Sequence, residues 1–197
     1  MFSQDRLSDF DSARRLFWNA VYPAGGWTLY CGLRFEAGGN GDGVMVTIDH
    51  IYPMPRVYQQ LQCGSRLRCK REQADRYNHI EADLHNMYPA SGTLVVARSD
   101  TVFSEVDGNE SRYQDCSFKR RSRLIEPRDI AKGNIARSLL YMHAEYGLAL
   151  QEDIELLKAW SRVDPPSEQE ISRNDIIERV QGNRNPFIDE PELVDRF

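Results

Sequence analysis

The chain has 197 residues and a formal net charge of −5, with 41% hydrophobic and 28% charged residues. These values are typical of a globular protein with one well-buried core, and they predict a single domain over residues 1–197. No apolar run approaches the roughly 18–20 residues that a membrane-spanning helix needs, so we expect no membrane partner.

The four cysteines bear on where the protein works. Cys63 and Cys69 flank the short loop "CGSRLRC", which a disulfide could close without long-range folding. Four cysteines permit three pairings and the sequence selects none of them, although we favour Cys63–Cys69 together with Cys31–Cys116. A zinc site is the competing interpretation, but the chain lacks a C-x2-C pair and an H-x3–5-H partner. Disulfides favour a secreted or periplasmic protein whose leader is absent from this chain.

The distribution of charge is more informative than the net value. Acidic residues dominate 145–195, whereas two short segments are strongly basic. A local basic surface can bind phosphates on a protein that is acidic overall, although such a segment can also be no more than a solvated surface. The basic residues of the two segments are Arg66, Arg68, Lys70 and Arg71, and then Lys119, Arg120, Arg121 and Arg123.

The N-terminal part of the chain predicts a helix followed by strands. Residues 8–20 have apolar side chains at helical spacing, with Ser8 as the expected N-cap. Glycine and proline then break the helix, and the alternation from Trp27 to Leu33 predicts a half-buried strand. The run "VMVTIDHI" predicts the next strand, and His50 lies near its end.

The later segments predict mainly helices. The segment "SGTLVVARSD" is ambiguous, because its β-branched residues favour a strand while its length and position suit a short helix. Residues 135–146 carry an apolar stripe that ends at Gly147, and a second stripe follows over 154–160. Ser167 and Glu170 form a capping box for a third helix that stops at Gly182.

Two histidines follow an acid closely, and these pairs are the candidates for chemistry. His50 lies in "TIDHI" and His85 in "ADLHN". Each alone could be a structural histidine held by hydrogen bonds. Phosphodiester hydrolysis, however, requires a base such as histidine, a hard cation held by oxygen ligands, and arginines that bind phosphate. The sequence contains all of these residue types.

Five ordered segments resemble the endonuclease I family of secreted and periplasmic bacterial nucleases. The resemblance covers most of residues 10–187 and is specific because the segments occur in the same order. They are "YCG" (30–32), "DHIYP" (49–53), "DLHNMYPASG" (83–92), "GNIARSLLYMHAEYGL" (133–148) and "AWSRVDPPSEQEISRNDIIERVQGNRNPF" (159–187).

The resemblance implies both a fold and an activity. It implies an α+β fold with a ββα-metal finger, a small antiparallel sheet and several packed helices. It also implies a non-specific endonuclease that cleaves DNA, with RNA as a second possible substrate, and leaves 5′-phosphate ends. Separately from the resemblance, we expect a monomer. The implied cofactor is Mg²⁺, with Mn²⁺ as an alternative.

The resemblance also implies roles for individual residues of the site. His50 matches the general base and Asp49 a metal ligand, although the family usually has glutamate at that position. Val95 stands where the family has a second ligand, an asparagine, and valine cannot bind a cation. We therefore expect Asn86 or Asp100 to supply the missing oxygen.

Three arginines in segments that match the family are candidates for binding phosphate. Arg66 corresponds to an arginine near the scissile phosphate, and Arg98 and Arg137 are further candidates, for which structural ion pairs are the alternative. The departure at Val95 leaves a second function open, that of a nucleic-acid-binding protein that kept the fold and lost the chemistry. A hydrolase for another substrate is a third reading, based on the negative charge.

Overall fold

The computed structural model describes residues 4–41, 43–107 and 116–197. Helices dominate this part of the chain and alternate with short strands, so the fold is α+β as predicted. The α-helices are α1 (Phe10–Leu16), α2 (Met54–Gln60), α3 (Arg66–Glu72), α4 (Ala74–Ala82), α5 (Gly92–Arg98), α6 (Asp129–Tyr146), α7 (Ile154–Val163), α8 (Glu168–Gln181) and α9 (Pro186–Asp189).

The strands form small sheets of two or three members. β1 pairs with β2 and β3 with β4, both antiparallel, while β7 lies between β6 (antiparallel) and β5 (parallel). The sheets are therefore small, as expected, but one of them is mixed. The strands are β1 (Gly26–Trp27), β2 (Arg34–Phe35), β3 (Val46–His50), β4 (Met87–Ser91), β5 (Val102–Phe103), β6 (Lys119–Arg121) and β7 (Leu124–Glu126).

The helix ends in the C-terminal third agree with the sequence prediction. α6 ends before Gly147 and α8 before Gly182, and both glycines have the positive φ of left-handed C-caps. The Ser167 side chain accepts a hydrogen bond from the Glu170 backbone N–H, which confirms this half of the predicted capping box.

Two predictions for the N-terminal part are wrong. Asp9 rather than Ser8 caps α1, since its carboxylate accepts hydrogen bonds from the Asp11 and Ser12 backbone N–H groups. The strand expected from Trp27 to Leu33 is only the two-residue β1, and Trp27 is 62% exposed. A turn follows β1, in which the Leu33 and Gly32 N–H groups bond back to Thr28.

The strand–strand–helix order of β3, β4 and α5 positions the candidate site. All five residues of β3 pair with β4, so that Asp49 lies opposite Tyr88 and His50 opposite Met87. α5 follows β4 directly, and the Ser91 hydroxyl caps it by accepting a hydrogen bond from the Leu94 N–H. The ambiguous segment after the proline is therefore a short helix, and its side chains reach the end of β3.

The core and the disulfides hold these elements together. The larger hydrophobic cluster runs from Leu29 to Val194 and includes α6 and α7, while a smaller one joins α1 to Ile177 of α8. The disulfides are Cys31–Cys116 and Cys63–Cys69, which is the pairing that we favoured. Among the described helices, none is both long and apolar enough to span a membrane.

Candidate active site

A cavity of about 200 Å³ lies where β3 ends against α5. Asp49 and His50 line it from β3, and Val95, Arg98 and Ser99 line it from α5 and its C-terminus. A larger cavity of about 630 Å³ lies between Trp27, Tyr88 and α8, but none of the predicted site residues lines it. The smaller cavity is therefore the candidate site, because it brings an acid and a histidine together.

The His50 ring is held in a defined orientation. Its Nε2 lies 2.9 Å from the backbone oxygen of Glu81, at the end of α4. A carbonyl oxygen only accepts, so Nε2 carries the proton of the neutral ring and Nδ1 keeps its lone pair. Burial lowers the pKa of His50 below its ordinary value, although the Glu81 carbonyl opposes that shift. At neutral pH the ring is therefore predominantly an uncharged proton acceptor.

Asp49 is buried and held by two side chains. The Tyr30 hydroxyl donates to Oδ2 at 2.6 Å, and Nε of Arg98 lies 3.3 Å from the same oxygen. Burial raises the pKa of Tyr30 well above its usual range, so the phenol remains a donor at neutral pH. The carboxylate is therefore charge-compensated within the protein.

The donor set of the cavity fits a metal site with a single carboxylate. The part of the chain that the structure describes contains no group of three or more His, Cys, Asp or Glu side chains that could hold a metal ion. Among the lining residues, Val95 has a hydrocarbon side chain, whereas Asp49 has a carboxylate and Ser99 has a hydroxyl group. Mg²⁺ is commonly held by one or two carboxylates with water and substrate phosphate, so this donor set is compatible with it.

Arg66 and His50 both contact Glu81. The Glu81 carboxylate accepts hydrogen bonds from the Arg66 guanidinium, while the Glu81 backbone oxygen faces His50. The guanidinium also lies 5.6 Å from the centroid of the Phe10 ring, which itself is 5.6 Å from the His50 ring. The Arg66 side chain is 50% exposed. Arg66 therefore lies outside the cavity lining but is accessible to a phosphate.

Arg98 lines the cavity but is committed to the protein. Its guanidinium donates to the backbone oxygens of Ile51 and Ser99, pairs with Asp49, and lies over the Phe103 ring. The side chain is only 1% exposed. These contacts favour a structural ion pair for Arg98 over a role in binding phosphate.

Asn86, Asp100 and Arg137 also lie outside the cavity lining. Both amide atoms of Asn86 bond to the backbone of Tyr52, so the amide has a structural role. Asp100 lies outside the lining and pairs with Arg123 at 2.9 Å. Arg137 is fully buried, and Glu170 accepts both ends of its guanidinium fork. We therefore include neither Asn86 nor Asp100 as a metal ligand in the proposed site, and Arg137 is not included as a phosphate contact.

Two residues of the site were missed in the sequence. Tyr30 lies in the "YCG" segment and binds Asp49, and Glu81 lies just ahead of "DLHN" and binds His50 and Arg66. Neither belongs to a local motif with a chemical signature. Their roles depend on distant partners, since Tyr30 is 19 residues from Asp49 along the chain and Glu81 is 31 residues from His50.

Comparison with known proteins identifies the family of this chain. The model of the endonuclease I family matches residues 14–192. An extracellular deoxyribonuclease of Aeromonas hydrophila is 31% identical over 210 residues, covering 94% of this chain and 90% of that protein. A second extracellular deoxyribonuclease and a periplasmic deoxyribonuclease of the same species are 38% and 35% identical, each over 72% of this chain. The chain covers 64% and 62% of the lengths of these last two proteins. The chain belongs to the endonuclease I family.

Proposed function

We propose that the protein is a secreted or periplasmic endonuclease that hydrolyses DNA with little sequence preference, with RNA as a second substrate to be tested. The observation that supports this most directly is the orientation of His50, whose Nε2 is held by Glu81 in a cavity shared with Asp49. Membership of an endonuclease family supports the reaction class, and the names of the relatives and the two disulfides support the location.

His50 acts as the general base in this proposal. Its Nδ1 accepts a proton from a water molecule as the water oxygen forms a bond to phosphorus. The bond between phosphorus and the 3′-oxygen breaks, and the leaving oxygen takes up a proton. The products are a 3′-hydroxyl and a 5′-phosphate. The lowered pKa of His50 keeps the acceptor unprotonated at neutral pH.

Asp49 would hold a divalent cation at the cavity, for which we propose Mg²⁺, with Mn²⁺ as an alternative. When bound, this cation supplies positive charge that stabilises the phosphorane and the leaving oxygen. Tyr30 and Arg98 fix the direction of the Asp49 carboxylate, because both contact Oδ2. Val95 offers no donor, so water and phosphate oxygens would have to supply any further ligands.

Arg66 contacts the scissile phosphate. Its planar fork suits two phosphate oxygens, and half of the side chain is exposed beside the histidine. Glu81 keeps the guanidinium near His50 before substrate arrives. Because the contacts proposed here are to the nucleic-acid backbone, cleavage should show little sequence preference and a strong dependence on salt.

Plasmid digestion with added Mg²⁺ tests the proposal. We expect nicking that EDTA abolishes, and a loss of about 10²-fold or more in rate for His50→Ala. His79→Ala, which removes a half-buried imidazole outside the cavity lining, serves as the control and should keep the wild-type rate. The position of the phosphate is tested by labelling the product ends with a polynucleotide kinase. If the ends carry a 5′-phosphate, they should accept label only after phosphatase treatment. A His50→Ala protein that cleaves at full rate would remove the general base from this account.

Val95 motivates the second candidate function, a nucleic-acid-binding protein without catalysis. The absence of a donor on its side chain weakens any metal site in the cavity. If pure protein binds duplex DNA but cleaves neither DNA nor RNA with Mg²⁺, Mn²⁺ or another divalent cation, this second function replaces the first. Cleavage that requires both His50 and a cation excludes it.

A further inference from the structure

Two basic elements flank the candidate site, although they are far apart along the chain. The first is α3, which carries Arg66, Arg68, Lys70 and Arg71. The second, here called the basic hairpin, consists of β6, β7 and the turn between them, and carries Lys119, Arg120, Arg121 and Arg123. The contacts of each element show which side of the cavity it adjoins.

α3 adjoins the side of the cavity formed by His50. Glu81 is almost fully buried, and its carboxylate pairs with Arg66 and, at 3.2 Å, with Lys70. The backbone oxygen of the same residue holds the His50 ring at 2.9 Å. Cationic groups of α3 are therefore anchored to the residue that orients the histidine.

The basic hairpin adjoins the side formed by the end of α5. Arg120 donates to the backbone oxygen of Ala97 at 2.7 Å, and Arg123 pairs with Asp100 at 2.9 Å. Ala97 and Asp100 bracket Arg98 and Ser99, two of the three residues that line the cavity from α5 and its C-terminus. The hairpin therefore makes two contacts with this segment, each to a residue next in sequence to one that lines the cavity.

The outer cations of both elements reach solvent. The Arg68, Arg71 and Arg123 side chains are 56%, 70% and 68% exposed. Their carboxylate partners, Glu72 and Asp100, are themselves 37% exposed. Such exposed ion pairs are weak, so an incoming phosphate can take over the guanidinium at little cost.

We propose that the basic hairpin is a second phosphate-binding element, and that a nucleic-acid strand crossing the cavity contacts α3 on one side of the scissile phosphate and the hairpin on the other. This inference rests on the proposed function and adds to it the path of the substrate. Segments on both sides of the scissile bond then contribute to binding. A substrate too short to reach the hairpin lacks that contribution.

The test uses a double variant, Arg121→Ala with Arg123→Ala. Arg120 is kept because its bond to Ala97 anchors the hairpin. Binding of a fluorescent duplex is measured in the His50→Ala background, so that cleavage is not needed. We expect the Kd to rise on the order of tenfold, and the slope of log K against log salt to fall by about 1–2, as expected for the loss of one or two phosphate contacts. The matched control is Arg179→Ala with Arg196→Ala, two exposed arginines outside both basic elements, which should change neither value.

Substrate length provides the second readout. In the catalytically competent protein, kcat/KM should rise as duplexes lengthen from about one helical turn to two, and the hairpin variant should lose that rise through KM while kcat stays unchanged. The Arg123→Ala substitution also removes the ion-pair partner of Asp100, and the exposed carboxylate could weaken binding by repelling DNA. Adding Asp100→Asn to the double variant tests this alternative explanation. Recovery of wild-type binding in that triple variant overturns the inference, and continued weakness supports it.

The outcomes separate this inference from the proposed function. If the protein cleaves DNA but the hairpin variant keeps the wild-type salt slope and length dependence, the hairpin has no role and the endonuclease assignment stands. If the protein binds DNA through the hairpin but never cleaves it, the substrate path stands and the assignment falls. Thermal unfolding of each variant confirms that the comparison is made between folded proteins.

Discussion

Val95 of α5 lines the same cavity as Asp49 and His50. Because its side chain is a hydrocarbon, this position offers no oxygen to a cation beside Asp49. An amide in its place would point an oxygen towards a cation held by Asp49. We predict that Val95→Asn lowers the Mg²⁺ concentration for half-maximal activity by roughly tenfold, because the cation gains a protein ligand in place of a water. The measurement is a titration of cleavage rate against Mg²⁺.

Val96 provides the matched control for this substitution. It is the next residue of α5, but it is 78% exposed and does not line the cavity. Val96→Asn introduces the same amide into the same helix and should leave the Mg²⁺ requirement unchanged. Equal shifts in the two variants would show that the effect comes from helix stability rather than from coordination.

At this scale the sequence predicts residue types better than it predicts their partners. Asp49 and His50 could be identified because they are adjacent in a motif. Asn86 and Arg137 have suitable chemistry but use it on Tyr52 and Glu170, which no local pattern reveals. Arginine binds carboxylate as readily as phosphate, so its role depends on what the fold places beside it.

At the scale of elements, the two disulfides constrain very different lengths of chain. Cys31–Cys116 joins residues 85 positions apart, whereas Cys63–Cys69 spans 6. The loop-entropy model then predicts losses in the free energy of unfolding of about 4–5 kcal/mol for the double alanine variant of the first and about 2 kcal/mol for that of the second. Urea unfolding without reductant measures both.

Activity should show the opposite order among variants that remain folded. Cys69 lies within α3 and is fully buried, so loss of the short disulfide loosens the helix that carries Arg66. We therefore expect kcat/KM to fall more in Cys63→Ala with Cys69→Ala than in Cys31→Ala with Cys116→Ala. A short-disulfide variant with unchanged kcat/KM would show that α3 is held in place by its packing alone.

Whether an element could be predicted depended on how local its signals are. α6 and α8 were predicted because apolar periodicity and terminal glycines are written within the helix itself. The β-branched residues of α5 left its assignment open, and the structure shows a helix that is capped by Ser91 and packs on β3 and β4. Trp27 has strand-like neighbours, but tertiary structure gives it one partner strand of only two residues.

At the scale of the whole molecule, a buried histidine couples stability to pH. His85 is 1% exposed, and burial lowers its pKa to about 4. Its neighbours are the Tyr141 ring, at a centroid distance of 4.8 Å, the Asn183 backbone oxygen, and nearby Asp83 and Arg173. The unfolded chain binds the proton with the ordinary histidine pKa of about 6.5.

The direction of the effect follows from proton binding. Below about pH 6.5 the unfolded state binds a proton that the folded state does not, so stability falls as the pH drops towards 4. Between pH 7 and 4.5 this one group should cost roughly 2–3 kcal/mol. We predict that His85→Gln, measured by urea unfolding across this range, has a correspondingly shallower decline than the wild type. Parallel declines would mean that His85 titrates normally in the folded protein.

The pairing of Asp49 with Arg98 has a consequence for how the protein depends on its surroundings. A buried carboxylate that relied on a metal ion for its counter-charge would make that ion part of the scaffold. Here the counter-charge is supplied by a residue of the chain itself. Under the proposed function the cation would then be a reagent taken from the medium, and its supply would switch catalysis on or off while the folded protein persists.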